Sequence, residues 1–515
     1  MASVTATLNL ARQQLGSGLF DHAEDLCRRV LEMDPDHPDA FHLLGLISQR
    51  TGKADIAADL INTAIALNPH AAEYYYNLGV IFSAAAKQDA ALKAYQAAVI
   101  LKPDYAEALN NAGLILYERD MLAEAEALFQ QAIGVKPDFT HAYYNLGKAL
   151  QALGKPKAAI RAYDQVLTLL PDSAETRFNR SLALLLMGKF KEGWNQYEWR
   201  YRCIDNPSKS SAKADWQFWQ GSLFDGKRLL VIDEQGIGDT LQFMRYLPMV
   251  KARGGTVGFE TVKPLINLLR DFRGIDELWD RSSVKKFGPT FDLYAPLMSL
   301  PGIFNTELET IPAEVPYIFP DAAKVRLWER RLQKGRINVG IVWAGKSSDA
   351  YRQNKRSGLE HISLEWAGQP ANRFASNRLT RLEYFAPLTK IPGIQLYGLQ
   401  KGTAAAQIKE PSQRMDAINL GEEFNDFSDT AAVIANMDLV ISVDTAVAHL
   451  AGAMAKPVWI LIPFVADWRW LLDRDDSPWY PTARLFRQQT PQRWEDVFKR
   501  VADELQAWVG QQTIK

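Results

Sequence analysis

Two rhythms of apolar and polar positions divide this chain of 515 residues. Through residue 207 the apolar positions follow helical spacing, and a longer period lies over it. Pro35, Pro69, Pro103, Pro137 and Pro171 stand 34 residues apart, and Gly45, Gly79, Gly113 and Gly147 keep the same interval. Ala57, Ala91, Ala125 and Ala159 recur in phase, each followed four positions later by a large residue, Ile61, Tyr95, Phe129 or Tyr163. The pattern predicts stacked helix–turn–helix units: a small residue lets two helices approach, a large one fills the gap between hairpins, and proline ends the second helix. Six units fit, at 4–37, 38–71, 72–105, 106–139, 140–173 and 174–207, the first and last degenerate. The last runs into the aromatic segment Glu192-Gly-Trp-Asn-Gln-Tyr-Glu-Trp-Arg-Tyr201, expected to plug the stack as a rigid junction with the next domain.

From Lys227 the long period is gone, and short apolar blocks alternate with helical patterns: Arg228–Asp233, Thr256–Glu260, Phe291–Ala295, Asn338–Trp343, Gln395–Leu399, Leu439–Val443 and Val458–Ile462. Such alternation predicts parallel sheets. The proline-rich passage from Ile311 to Pro320 separates the blocks into two sets. The expected organisation is a helical solenoid at 4–207, a linker at 208–226, and two α/β lobes at 227–320 and 321–515.

The repeat period, with its glycine, alanine, aromatic and proline positions, resembles the tetratricopeptide repeat. One further position stays in phase: Asn9, Asn77, Asn111, Asn145 and Asn179, with Leu43 the exception. On the inner helices of a solenoid these amides would form a ladder along the concave face, where each can donate to and accept from the backbone of an extended peptide. Asn77, Asn111, Asn145 and Asn179 are therefore the expected acceptor-binding residues. The plainer reading is that each asparagine bonds locally between hairpins.

In the second half, Leu439–Val443 reads as a strand covered on both faces, stopped by Asp444 and Thr445. Thr445 is placed to cap the following helix, whose small residues Ala446, Ala448, Ala451, Gly452 and Ala453 allow close packing on a sheet. Ligands of open parallel sheets sit beyond the carboxyl ends of the strands, and a helix N-terminus there suits phosphate. His449, one turn in, would reach the same phosphates. The plainer reading makes Asp444 and Thr445 caps and His449 a satisfied buried histidine. In the first lobe, Arg228–Asp233 leads into Glu234-Gln-Gly-Ile-Gly-Asp-Thr, whose two glycines do not complete a dinucleotide fingerprint. Asp239 enters the helix there, placed either to cap it or to take a proton from an acceptor hydroxyl.

Composition narrows the classes. With 59 basic and 60 acidic residues, nothing draws the chain towards nucleic acid or an anionic membrane. Cys27 and Cys203 are isolated, which indicates neither a disulfide framework nor a zinc site. The first ten residues carry no basic leader, and no run of 18 apolar residues occurs, so a cytoplasmic protein without membrane insertion is expected.

Gly236-Ile-Gly-Asp-Thr-Leu-Gln-Phe-Met-Arg-Tyr together with Val443-Asp-Thr-Ala-Val-Ala-His-Leu-Ala-Gly-Ala resembles the GT-B glycosyltransferases related to the lipopolysaccharide heptosyltransferases, in the branch fused to tetratricopeptide repeats. The overall layout, asparagine ladder included, is similar to the protein O-linked N-acetylglucosamine transferases and to flagellin glycosyltransferases. The resemblance implies two Rossmann-like lobes, Asp239 as base, and donor phosphates held at Gly238, Asp444, Thr445, Ala446 and His449. It also implies a basic phosphate contact, for which Arg378 is the best match and Lys355 and Arg356 are rivals, and base or ribose recognition at Gln400 and Lys401. Lys346 stands where the branch usually has asparagine, and the segment 346–377 is enlarged, as a lid or otherwise. Inversion at the sugar is implied, with no obligatory metal and no cofactor beyond the nucleotide sugar. The expected function is sugar transfer from a nucleotide-activated donor to a hydroxyl of a protein held by the repeats, with flagellin a plausible acceptor. The alternatives are a glycan or lipopolysaccharide transferase that docks through its repeats, and a non-catalytic scaffold with a retired enzyme domain. Sugar, nucleotide, acceptor and oligomeric state are not written in the residues.

Overall fold

The computed structural model describes residues 3–203, 216–282, 291–345, 381–409 and 415–512. The chain divides into two compact units, one ending at Ser173 and the other beginning at Ala174.

The first unit is a run of helical pairs: Val4–Gly16 with Phe20–Met33, Pro38–Arg50 with Ala54–Leu67, Ala72–Ala84 with Gln88–Leu101, Ala106–Glu118 with Leu122–Val135, and Thr140–Ala152 with Pro156–Leu169. The repeating glycine does what its spacing predicts. A β-carbon at Gly79 would stand 2.6 Å from the Tyr95 ring, and one at Gly113 would stand 2.8 Å from Phe129. Each large residue therefore packs on the bare backbone of its partner helix, and Ile61, Tyr95, Phe129 and Tyr163 are all buried.

The second unit starts with a sixth pair, Ala174–Leu186 and Phe190–Tyr197, followed by the 3-10 turn Glu198–Arg202. Two parallel sheets follow. The first has β1 (Gln217–Phe218), β2 (Arg228–Ile232), β3 (Thr256–Thr261), β4 (Glu277–Asp280) and β5 (Leu293–Pro296), in the order β1-β5-β2-β3-β4. The second has β6 (Ile337–Val342), β7 (Ile394–Gly398), β8 (Ala417–Asn419), β9 (Leu439–Val443), β10 (Val458–Ile462) and β11 (Ala483–Arg487), in the order β11-β10-β9-β6-β7-β8. β2 lies centrally and pairs with β3 and β5, while β9 pairs with β6 and β10. Both central strands are buried along nearly their whole length, as parallel strands covered on two faces must be.

The aromatic segment after the sixth pair packs into the core of the second unit. Trp194 meets Trp468 edge-on at 5.2 Å and Phe243 edge-on at 6.3 Å. Arg200, only 4% exposed, forks onto the equally buried Glu234 at the end of β2, at 2.7 Å, and donates to Ser299 at 2.8 Å. The Tyr201 hydroxyl also donates to Glu234, at 2.8 Å, so the buried pair has the extra hydrogen bonds it needs. Among the described residues no helix is long and apolar enough to cross a membrane.

Candidate functional site

Two helix starts meet beyond the carboxyl ends of the two central strands. β2 runs into a turn where Gln235 takes a positive φ of 68°, and the helix Ile237–Phe243 follows. β9 ends at Val443, and after Asp444 and Thr445 the helix Ala446–Ala453 begins. The helices pack start to start. A β-carbon at Gly238 would lie 2.9 Å from His449 Cδ2 and 3.6 Å from Ala446 Cα, so only glycine admits this approach.

Asp239 sits in the first turn of its helix and is half-buried, its side chain 20% exposed. Its Oδ2 accepts from the Gly236 N–H at 2.8 Å, which is the capping role. Its Oδ1 accepts from Arg469, a residue from the 3-10 turn Trp468–Trp470 that follows β10. Arg469 is buried and anchored twice more, donating from Nε to Gln242 Oε1 at 2.8 Å and from Nη1 to Asp467 Oδ1 at 2.8 Å. Burial opposes its charge, but the Asp239 and Asp467 carboxylates outweigh that and hold its pKa above the ordinary guanidinium value. Asp233, six residues before Asp239, is pushed up to about 6, by burial against the hydrogen bonds it accepts from Thr240 and Thr261 at 2.7 and 2.8 Å.

The second helix start departs from expectation in one respect. Thr445 occupies the N-cap position with extended backbone, yet its side chain does not cap the helix. The Ser442 hydroxyl donates to the Val443 carbonyl at 2.7 Å, which leaves its lone pairs to receive the Thr445 hydroxyl at 3.0 Å. Thr445 is drawn back towards the strand, so its hydroxyl covers none of the first-turn N–H groups of the helix. His449, 4% exposed, is held from several sides: Nδ1 lies 3.0 Å from the Tyr480 hydroxyl, Nε2 lies 3.6 Å from Asp444 Oδ1, and the ring stacks on Trp470 at 5.4 Å.

Gln400 and Lys401 make hydrogen bonds within the protein. Gln400 Oε1 accepts from the N–H groups of Trp343 and Ala344, at 3.3 and 2.9 Å, and Nε2 donates to the Lys401 carbonyl at 3.0 Å. Its amide clamps the end of β6 to the end of β7, which positions the strand ends. Lys401 donates to the Phe424 carbonyl. Arg378, its rivals Lys355 and Arg356, and the enlarged segment 346–377 lie outside the described residues.

Asn77, Asn111 and Asn145 are half-buried, and their amides make hydrogen bonds within the repeats. Asn77 Nδ2 lies 2.8 Å from His42 Nε2, and Asn145 donates to Asn110 Oδ1 at 3.0 Å, both across a separation of 35 residues. Asn110 in turn donates to Asn111 at 3.2 Å. Burial lowers the His42 pKa to about 4, so the ring is neutral, and since an amide nitrogen only donates, Nε2 accepts and Nδ1 carries the proton. Asn77 and Asn145 thus reach back to the preceding hairpin, which is the bonding between hairpins of the plainer reading. Asn179 is buried in the second unit.

By sequence, Asp467 and Arg469 follow the block Val458–Ile462 and are read as residues that could rim the donor cleft, while Gln242, Trp470 and Tyr480 are missed. The available signal was the dense alternation of charge and aromatic in Asp467-Trp-Arg-Trp470, which serves packing and polar contact at once.

A model of glycosyltransferase family 9 (heptosyltransferase) matches residues 396–461, and tetratricopeptide-repeat models match 42–99, 82–138 and 141–173. The former spans Gln400, Asp444, Thr445 and His449 but reaches neither Asp239 nor Arg469. Protein FlbA of Caulobacter vibrioides is 26% identical over 350 residues, covering 61% of this chain and 52% of that protein, so the match spans about half the relative's length. Among solved structures, MamA is 26% identical with a TM-score of 0.29, over 32% of this chain and 96% of that one. YrrB, described as a TPR protein with an unusual peptide-binding site, is 22% identical with a TM-score of 0.30, over 34% and 90%.

Proposed function

We propose that this chain, tetratricopeptide repeats joined to a heptosyltransferase-like glycosyltransferase segment, is a GT-B transferase that moves a sugar from a nucleotide-activated donor to a hydroxyl of a protein held by the repeats. The observation that carries the reading is the meeting of Gly238-Asp239 with Ala446 and His449 at the ends of two parallel sheets. Asp239 takes the acceptor proton as the hydroxyl attacks the anomeric carbon from the face opposite the leaving group, which inverts that centre. The departing diphosphate meets the first-turn N–H groups of Ala446–Ala453 and the positive end of that helix's dipole, with His449 beside them. No step calls on a metal. The repeats hold the acceptor chain, a surface-appendage subunit such as flagellin being the candidate class.

The test has two arms. Purified protein is offered a panel of UDP-, GDP-, ADP- and CMP-linked sugars, and free sugar and nucleotide are measured. Asp239→Asn is expected to lower turnover of the accepted donor roughly 10²-fold, with the Gly236 N–H still capped by the amide oxygen. Intact masses of secreted and surface proteins are then compared in cells with and without the gene. A donor hydrolysed at wild-type rate by Asp239→Asn reduces that residue to a cap and ion-pair partner; unchanged masses refute the protein acceptor.

A further inference from the structure

We infer that Arg469 is a positioning residue of this site, one that fixes the Asp239 carboxylate for the acceptor hydroxyl; the inference rests on the reading of Asp239 as the general base. A carboxylate on a single bond rotates unless both oxygens are held. Here Oδ2 is held by the Gly236 N–H at 2.8 Å and Oδ1 by the Arg469 guanidinium. Each ionised oxygen has two lone pairs and spends one on these donors, so the group is oriented and still able to accept a proton.

The guanidinium is itself immobilised. Nε donates to Gln242 Oε1 and Nη1 to Asp467 Oδ1, both at 2.8 Å, and the plane lies over the Trp468 ring at 4.3 Å from its centroid. Gln242 and Asp239 stand three residues apart in the helix Ile237–Phe243, on one face, so Arg469 grips that helix at two points a turn apart. Asp467 also accepts from the Arg469 backbone N–H at 3.1 Å, which stiffens the turn that carries the arginine. The next residue, Trp470, stacks on His449 at 5.4 Å. One short turn after β10 thus sets the proton acceptor on one side and the histidine beside the helix start on the other. Only a planar fork reaches three acceptors in this way; a lysine ammonium would keep the charge and lose the geometry.

The test uses the full chain and the donor that the wild type turns over. Arg469→Met is expected to lower kcat roughly 10- to 10²-fold while KM for the donor stays within about threefold, the signature of lost orientation rather than lost binding. Arg469→Lys is expected to recover only part of that loss. The deciding variant is Arg469→Met combined with Asp239→Asn: if the arginine acts through the aspartate, the double variant is no slower than Asp239→Asn alone. Losses that multiply in the double variant, or a raised KM with kcat kept, overturn the inference, the second by making Arg469 a donor ligand. Should Arg469→Met fail to fold, Asp467→Asn removes one anchor and leaves the guanidinium in place; it is expected to give a smaller fall in kcat with the same non-additivity, and an unchanged kcat overturns the inference. A wild-type chain inert towards every donor overturns the transferase reading and this inference with it.

Discussion

Gly238 lies so close to His449 that a β-carbon added to it would stand 2.9 Å from the imidazole Cδ2. The ring has little room to yield, because Tyr480 holds Nδ1 at 3.0 Å and Trp470 covers one face. In Gly238→Ala the helix Ile237–Phe243 must retreat, carrying Asp239 with it. The expected result is a loss of about 1–3 kcal/mol of stability, the usual scale of overpacking, together with a fall in donor turnover. Denaturant melts and turnover on one preparation check both, and unchanged turnover would detach Asp239 from the contact between the helices.

The start of Ala446–Ala453, which the Thr445 hydroxyl does not cap, gives a second expectation. His449→Ala removes a group beside it, and Thr445→Val removes the hydroxyl that pairs with Ser442 at 3.0 Å. Both variants should bind nucleoside diphosphate more weakly, seen by calorimetry or as a smaller ligand-induced rise in melting temperature. Wild-type affinity in both would exclude this helix start as the phosphate cradle.

The repeat asparagines bear on stability as well as on acceptor binding. Asn145→Ala deletes the bond to Asn110, and Asn77→Ala deletes the one to His42, each worth on the order of 1 kcal/mol. Combining Asn77, Asn111 and Asn145 to alanine should lower the melting midpoint of the repeats and weaken the acceptor, while hydrolysis of the donor persists. A triple variant with the wild-type melting midpoint would show that these inter-repeat bonds contribute nothing.

Acid should act on the two units in opposite senses. His42 titrates near 4 when folded and 6.5 in its ordinary state, so between those values the unfolded repeats bind the extra proton; the repeats gain stability as pH rises through that window and lose it on acidification. Asp233 titrates near 6 against an ordinary 3.8, so the folded second unit binds the extra proton, and its stability falls as pH rises from 3.8 to 6. Each effect is on the order of 3 kcal/mol. Hydrogen exchange, corrected for intrinsic rates and followed separately for peptides around His42 and around Asp233, should show slopes of opposite sign above about pH 4.5, where carboxylates held below their ordinary values, such as Asp276, Asp426 and Asp429, stay ionised. His42→Gln should flatten the first and Asp233→Asn the second.

What the sequence determined is whatever repeats locally or is buried on every side. The interval of 34 residues marked Gly79, Gly113, Tyr95 and Phe129 as packing positions, because each recurs once per helical pair; that Tyr95 lies on Gly79 and Phe129 on Gly113, within one hairpin rather than only in the gap between hairpins, was decided by the tertiary structure. The central strands were equally legible, since a strand covered on both faces must be apolar throughout. β1, β4, β8 and β11 were not, and they are the four edges of the two sheets. An edge strand is covered less fully and tolerates polar residues, as in Glu277–Asp280 and Ala417–Asn419, where every position is only partly buried. Tertiary structure alone decided the roles of the polar side chains. Asp239 and Arg469 are 230 residues apart, Thr445 turned to Ser442 instead of to its own helix, and Gln400 closed on the end of β6. A hydroxyl, amide or carboxylate can satisfy itself with many partners at similar free energy, so its choice is fixed only when packing brings one of them within reach.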